Sequence, residues 1–174
     1  MRAAAAEPVA ADCITGGAEV RCTVPVIPFV EWLGIRTERA SEGESVLRHV
    51  PTADHLNAFD VVHGGVCMTL LDVAMAAAAR SVEPGMGVVT IEMKTSFLRP
   101  AKGELVCQGR LLHRTATMAF TEANVVDAAG KTCAHATGTF KYVRRLATGR
   151  RSVQGMRGAA EKGAPALATH PHSA

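Results

Sequence analysis

GGVCMTLLDVAMAAAARSV, residues 64–82, is the stretch that decides the fold. Val66, Leu70, Val73 and Ala77 recur at helical spacing, as do Met68, Leu71, Met75 and Ala78, and predict one long helix. The stretch is apolar on almost every side, which predicts a helix buried in the core rather than one lying on a surface. Its many alanines let a surrounding sheet come close. Asp72 breaks the pattern, flanked by Leu70, Leu71, Val73, Ala74 and Met75. An ionised carboxylate in such company is costly unless it is paired or has a task.

Upstream, Pro28-Phe29-Val30-Glu31-Trp32-Leu33-Gly34 predicts a short helix with proline near its start and glycine at its end. Two strands are predicted next, Ile35–Ala40 and Glu44–Val50, joined by the hairpin signal Ser41-Glu42-Gly43. Pro51–Val62 reads as an irregular connection. Downstream of the helix the period changes to two: Val89, Ile91, Met93 and Phe97 alternate with Thr90, Glu92, Lys94 and Ser96, predicting a half-buried strand. Further strands are predicted at Glu104–Thr115, Met118–Val126 and Lys131–Val143, with turns at Pro100–Gly103 and Asp127–Gly130. Ala134, Ala136 and Gly138 share one face of the last strand and leave room for something bulky against the sheet. The simplest assembly is α+β: one helix laid across an antiparallel meander of about five or six strands.

The 174 residues favour one folded domain, expected over 25–143, between a flexible leader at 1–24 and a basic disordered tail at 144–174. Apolar residues are 48% of the chain and aromatic ones 4%, so the core must be built from aliphatic side chains. The formal charge of +3 is unevenly spread: six Lys/Arg face one acid in 144–174, whereas 1–143 holds 13 basic and 15 acidic residues. A slightly acidic globular part argues against nucleic-acid binding, which needs a basic folded face. No run of about 18 apolar residues is present to span a membrane, and the N-terminus lacks a signal-peptide h-region. Cys13, Cys22, Cys67, Cys107 and Cys133 are odd in number and without a C-x-x-C pair, which predicts reduced thiols, a cytoplasmic setting and no metal site.

The chemistry-bearing constellation is Asn57-x5-His63-Gly64-Gly65-x6-Asp72. A glycine pair opening a helix leaves first-turn N–H groups unpaired at the positive end of the dipole, a setting suited to a carbonyl oxygen gaining charge. The competing reading is a tight turn and nothing more. Asp72 lies eight residues past Gly64, about 12 Å along the axis at ~1.5 Å per residue. It cannot cap its own helix or easily reach a substrate held there. If the two act together, two chains with antiparallel helices each supply half a site. The competing reading for Asp72 is a hydrogen bond to a neighbouring strand that only positions the helix. His63 in turn could serve as a structural tie for the turn. Cys67 lacks an activating partner and reads as core. His113 and His135 read as ordinary strand residues.

From Asn57 to Tyr142 the chain resembles the hot-dog-fold thioesterases, especially the phenylacetate-pathway and 4-hydroxybenzoyl-CoA thioesterase group. The resemblance rests on Asn57, His63-Gly64-Gly65, Leu71-Asp72, Val89-Thr90, Phe97-Leu98-Arg99-Pro100, Gly103 and Asp127-x2-Gly130. It implies a long helix wrapped by a curved antiparallel sheet, with the site between subunits of a homodimer or a dimer of dimers. It further implies that the Gly64 N–H polarises the thioester carbonyl of an acyl-CoA, that Asn57 and His63 shape this region, and that Asp72 of the partner subunit is general base or nucleophile. Thr90 occupies the position of a hydroxyl supporting the acid, and Gly65 and Arg114 are candidate substrate contacts. Arg99, Lys102 and Arg110 are further cations available to coenzyme A phosphates. His113-Arg114-Thr115 departs from the Gly-Arg pair of many relatives. One carboxylate and a polarising dipole suffice for a thioester, so no cofactor is expected. The alternatives are a hot-dog acyl-thioester dehydratase, a non-catalytic acyl-CoA sensor, and an oligomerisation domain.

Overall fold

A computed structural model describes residues 27–144. The leader expected over 1–24 and, apart from Arg144, the basic tail lie outside the described residues. Arg144 is the last residue of the final strand, one position beyond the expected domain end.

The elements are a short helix α1 (Pro28–Trp32), strands β1 (Arg36–Ser41) and β2 (Glu44–His49), a 3-10 turn at Ala53–His55, the long helix α2 (Gly64–Ser81), and strands β3 (Met86–Phe97), β4 (Leu105–Arg114), β5 (Met118–Val126) and β6 (Thr132–Arg144). Six strands form one sheet in the order β1-β2-β4-β5-β6-β3. β2 therefore pairs with β4, and β3 crosses to the far edge beside β6. This corrects the expected meander: α2 intervenes between β2 and β3, so β3 starts on the opposite flank of the helix. The sheet curls around α2, which packs against β1 through β5.

Leu70, Leu71, Ala74, Met75 and Ala78 of α2 are fully buried against Leu47, Leu105, Cys107, Ala123, Val125 and Phe140 of the sheet. The small residues on β6 do make room: a Cβ on Gly138 would stand 3.1 Å from the sulfur of Met75. On β4, a Cβ on Gly109 would stand 2.6 Å from the Ala74 carbonyl oxygen. Strand side chains also bond helix carbonyls, Ser45 Oγ to Ala74 O at 2.7 Å and Tyr142 Oη to Ala79 O at 3.0 Å. Rotation and height of the helix are thereby fixed.

Burial of the helix is not complete. Gly65, Met68, Thr69, Asp72, Val73, Ala76 and Arg80 form an uncovered or half-covered stripe along α2, which corrects the expectation of a helix enclosed on all sides. β3 also departs from its pattern: Val89, Ile91 and Phe97 are 45%, 55% and 56% exposed, and Met93 is half-buried. Both departures have one cause. The apolar pattern asks for more burial than the described residues supply, because β3 is an edge strand and α2 is covered on one side only.

His49 on β2 is fully buried, 4.9 Å between ring centroids from His55, and neither ring nitrogen has a hydrogen-bond partner among the described residues. Burial first, and the neighbouring His55 second, hold its proton affinity below the ordinary imidazole value of 6.5, outweighing the favourable Leu33 backbone. The unfolded chain binds this proton more tightly, so its contribution to stability is complete above 6.5 and is lost as pH falls through the depressed folded value. Urea midpoints measured from about pH 7.5 down to about pH 5 are expected to fall, and His49→Leu is expected to flatten that decline. Gly109→Ala is expected to destabilise the fold by about 1–3 kcal/mol in the same assay, since backbone rather than a flexible side chain must yield.

Candidate active site

His63 forms the N-cap of α2. Its Nδ1 accepts the Gly65 N–H at 2.9 Å, and its carbonyl accepts the Val66 N–H at 2.9 Å. Its own N–H donates to the His55 carbonyl at 2.8 Å, which ties the cap to the preceding loop. The structural role weighed for His63 is therefore present, and the Gly65 N–H is already bonded rather than offered to a substrate. One first-turn donor is left over: among the described residues the Gly64 N–H has no acceptor. The Phe97 ring lies against Gly64, where a Cβ would come within 3.2 Å of it.

Asn57 shapes the loop in front of this helix end. Its Oδ1 accepts the Phe59 N–H at 2.9 Å and, more weakly, the Val61 N–H at 3.5 Å. Its backbone N–H bonds the Val61 carbonyl at 2.9 Å, closing a turn in which Asp60 has a φ of 54°. The side-chain oxygen is thus committed to the loop, while the side-chain amide N–H groups have no partner among the described residues.

Two clefts flank the first turn of α2. The larger, about 660 Å³, is bounded by Asn57, Phe59, Gly64, Cys67, Phe97 and the segment Leu98–Lys102. It brings Asn57 and the free Gly64 N–H onto one mostly apolar surface with Arg99 and Lys102 beside it. Arg99 Nη1 donates to the Thr132 carbonyl at 2.9 Å. The smaller cleft, about 250 Å³, lies on the other side of the turn between α1, the 3-10 turn and residues His63, Gly65, Val66 and Thr69. Its aromatic wall, Phe29 and Trp32, was not singled out from the sequence. The available signal was a lone tryptophan three residues from a phenylalanine on a predicted helix.

Asp72 lines neither cleft. It is half-buried on the uncovered stripe of α2, and the Thr90 hydroxyl on β3 donates to its Oδ1 at 2.7 Å. Among the described residues no cation pairs with it. Thr90, though exposed, contacts the carboxylate, and the strand-to-helix hydrogen bond considered for Asp72 is present. Among the described residues its second oxygen accepts no side-chain hydrogen bond. Asp72 and Gly64 of one protomer are separated by about 12 Å of helix and do not converge.

Arg114 stands elsewhere. It pairs with Glu83, just past the far end of α2, with Tyr142 nearby; hydrogen bonding to Glu83 raises its already high pKa. No protomer brings it to its own Gly64. Arg110 is bonded to Glu122 on the neighbouring strand. Cys67 borders the larger cleft, but burial first and then Cys133 push its thiol up to about 11, so it is no nucleophile at neutral pH. Cys107 is raised further for the same main reason, burial.

The cap accounts for a measurable part of the helix's stability. His63→Ala is expected to lower unfolding free energy by about 1 kcal/mol through loss of the Gly65 bond, measured by urea denaturation.

Residues 59–134 match the family described as the thioesterase superfamily. A protein of Halobacterium salinarum, provisionally named an esterase, is 34% identical over 128 residues, 67% of this chain and 85% of its own. Human acyl-coenzyme A thioesterase 13 is 31% identical over 92 residues, 52% of this chain and 66% of its own. Among solved structures, the Escherichia coli PaaI protein from the phenylacetic acid degradation operon superposes with a TM-score of 0.62 at 27% identity, covering 66% of this chain and 83% of its own.

Proposed function

The chain belongs to the thioesterase superfamily and carries its hot-dog fold, and on that footing we propose that it hydrolyses an aryl- or medium-chain acyl-CoA at a site shared by two subunits. One observation carries this reading. An unspent helix N–H, that of Gly64, borders a mostly apolar cleft, while an acid supported by a hydroxyl, Asp72 with Thr90, sits on a helix face that the protomer leaves uncovered.

In this reading the substrate carbonyl accepts the Gly64 N–H. The helix dipole and that donor favour the tetrahedral oxyanion over the ground-state carbonyl, which lowers the barrier. Asp72 of the partner subunit then acts from the other side, either taking a proton from the attacking water or attacking the carbonyl to give an anhydride that water hydrolyses. On either route the C–S bond breaks as the oxyanion collapses, and coenzyme A leaves as a thiolate that takes up a proton. The Thr90 hydroxyl holds one carboxylate oxygen and leaves the other to react. His63 acts by fixing the turn that presents Gly64, and Asn57 by shaping the loop and offering its amide N–H groups to the cleft.

A homodimer is needed to bring the two halves together. The uncovered stripe of α2 and the face of edge strand β3 that carries Thr90 adjoin through the Thr90–Asp72 bond and form a surface that association would bury. A dimer of dimers is the further assembly proposed. For Arg114, a role at the coenzyme A phosphates requires that the partner carry it there. The proposed setting is cytoplasmic, in keeping with free thiols at Cys67, Cys107 and Cys133; among the described residues no helix is long and apolar enough to cross a membrane.

A free-thiol assay with a panel of acyl-CoAs tests the activity. Wild type is expected to release coenzyme A, and Asp72→Ala to lower kcat by about 10²- to 10⁴-fold while still binding substrate. Binding without turnover by wild type points to a sensor, and no binding to an oligomerisation domain. The shared site has its own test. Proline is tolerated as a first helical residue yet has no N–H, and Gly64→Ala controls for the Cβ that meets Phe97, so Gly64→Pro is expected to be inactive and folded Gly64→Ala to keep activity. Chains carrying Gly64→Pro and Asp72→Ala, co-expressed, are expected to recover activity, because each heterodimer then holds one intact site. Absence of recovery in verified heterodimers excludes a site built across chains.

A further inference from the structure

The chain's single tryptophan, Trp32, is 71% exposed, and Phe29 beside it is 56% exposed. They stack on one another with centroids 6.3 Å apart and planes 15° from parallel, and α1 contributes no buried residue to the core. The pair is thus ordered without serving the protomer's packing. Together with Leu56 and Val66 it walls the 250 Å³ cleft, and the rings of Trp32 and His55 meet edge-to-face with centroids 6.3 Å apart.

The two clefts lie on either side of one helical turn and differ in chemistry. Arg99 and Lys102 border the larger; the smaller has no cation from Lys or Arg in its lining and has Asp54 at its rim. An acyl-CoA has a matching polarity about its carbonyl, an uncharged acyl group on one side and a long polyanionic arm on the other. A carbonyl held at Gly64 then divides the ligand so that Asp54 repels the arm from the aromatic side and the two cations draw it to the other. Volume narrows the choice of acyl group. A cavity of about 150 Å³ holds a benzene ring. The smaller cleft has space for a ring with a short linker, and its stacked walls favour a flat π-system.

Resting on the thioesterase reading, we propose that Phe29 and Trp32 are the seat of the acyl group and select an aromatic acyl-CoA, the coenzyme A arm leaving past Arg99 and Lys102.

The full-length chain, in wild type and as Phe29→Ala, Trp32→Ala and Trp32→Phe, is assayed on phenylacetyl-CoA and hexanoyl-CoA. The ratio of their kcat/KM values is expected to fall about tenfold in each alanine variant, mainly through KM for the aromatic ester, and to recover in Trp32→Phe. Because Trp32 is the only tryptophan, its emission supplies a readout independent of turnover. A non-hydrolysable thioether of phenylacetyl-CoA is expected to shift that emission and protect it from iodide, whereas coenzyme A alone is expected to do neither. The proposal is overturned if the ratio is the same in all four proteins, if coenzyme A alone gives the full shift, or if iodide cannot reach Trp32 without ligand, since another part of the assembly then covers it. If hydrolysis proceeds with an unchanged ratio, the aromatic seat falls and the thioesterase reading stands. If no ester is hydrolysed yet the thioether protects Trp32, the seat stands and the hydrolytic reading falls.

Discussion

The close seating of α2 on β4 is the constraint on which the other features depend. At Gly109 the absence of a side chain lets the sheet meet the Ala74 carbonyl, and Ser45 Oγ bonds that same carbonyl at 2.7 Å. Five residues further on, Tyr142 Oη bonds the Ala79 carbonyl. A helix gripped at these points can neither roll nor slide without breaking a buried hydrogen bond, at the desolvation cost of an unsatisfied polar group. With its rotation set, Leu70, Leu71, Ala74 and Met75 face the sheet, and Asp72 is turned outward within reach of Thr90. With its height set, the first turn stands against Phe97 and beside the larger cleft. The positions of acid and amide are thus consequences of packing between residues that carry no chemistry themselves.

Selective capping explains why one amide remains available. An α-helix begins with several N–H groups lacking intrahelical partners. Here His63 satisfies Gly65 through its ring and Val66 through its carbonyl, while His55 holds His63 in turn. Gly64 is the residue that this arrangement skips. A Ser or Asp cap would place a shorter and differently directed acceptor at the same point. The imidazole bends back over Gly65 closely enough that a Cβ there would lie 3.1 Å from Nδ1 and push the ring, as a Cβ on Gly64 would press on Phe97. The His-Gly-Gly triplet therefore has a local structural logic, and the unpaired donor is its by-product.

Much of the fold was legible in the sequence because its elements have strong periods. The 3.6-residue repeat of 64–82 and the alternation within the strands placed the long helix and the strands within a few residues, the 3-10 turn at Ala53–His55 falling in a stretch read as irregular, and the turns at 41–43, 100–103 and 127–130 lie between strands as expected. Strand order was less accessible. Alternation says that a strand has two faces but not which neighbour it pairs with, so the crossing of β3 to the edge beside β6 escaped a reading that assumed a meander. At the site, the sequence indicated Asn57, His63, Gly64 and Asp72 but not how their hydrogen bonds divide. The commitment of the Gly65 N–H to His63 depends on a ring orientation, and the pairing of Arg114 with Glu83 joins residues 31 apart. Neither leaves a mark on spacing.

The two misjudged surfaces are informative because they err in the same direction. Both the all-round burial expected of α2 and the half-burial expected of β3 assign more contact than the protomer contains. Thr90 turns towards Asp72, so the alternating Val89 and Ile91 point to the opposite face of β3, whereas Met68 and Val73 flank Asp72 on the uncovered side of α2. An apolar surface crossed by a carboxylate is a poor place for a solvent-facing acid and an expensive one for a sealed interface. Those opposing costs are reconciled if association covers the apolar residues yet leaves space beside Asp72, so that the acid stays partly desolvated without being enclosed. Thr90 then meets part of the carboxylate's hydrogen-bonding need, and the remaining oxygen is left for the proposed substrate.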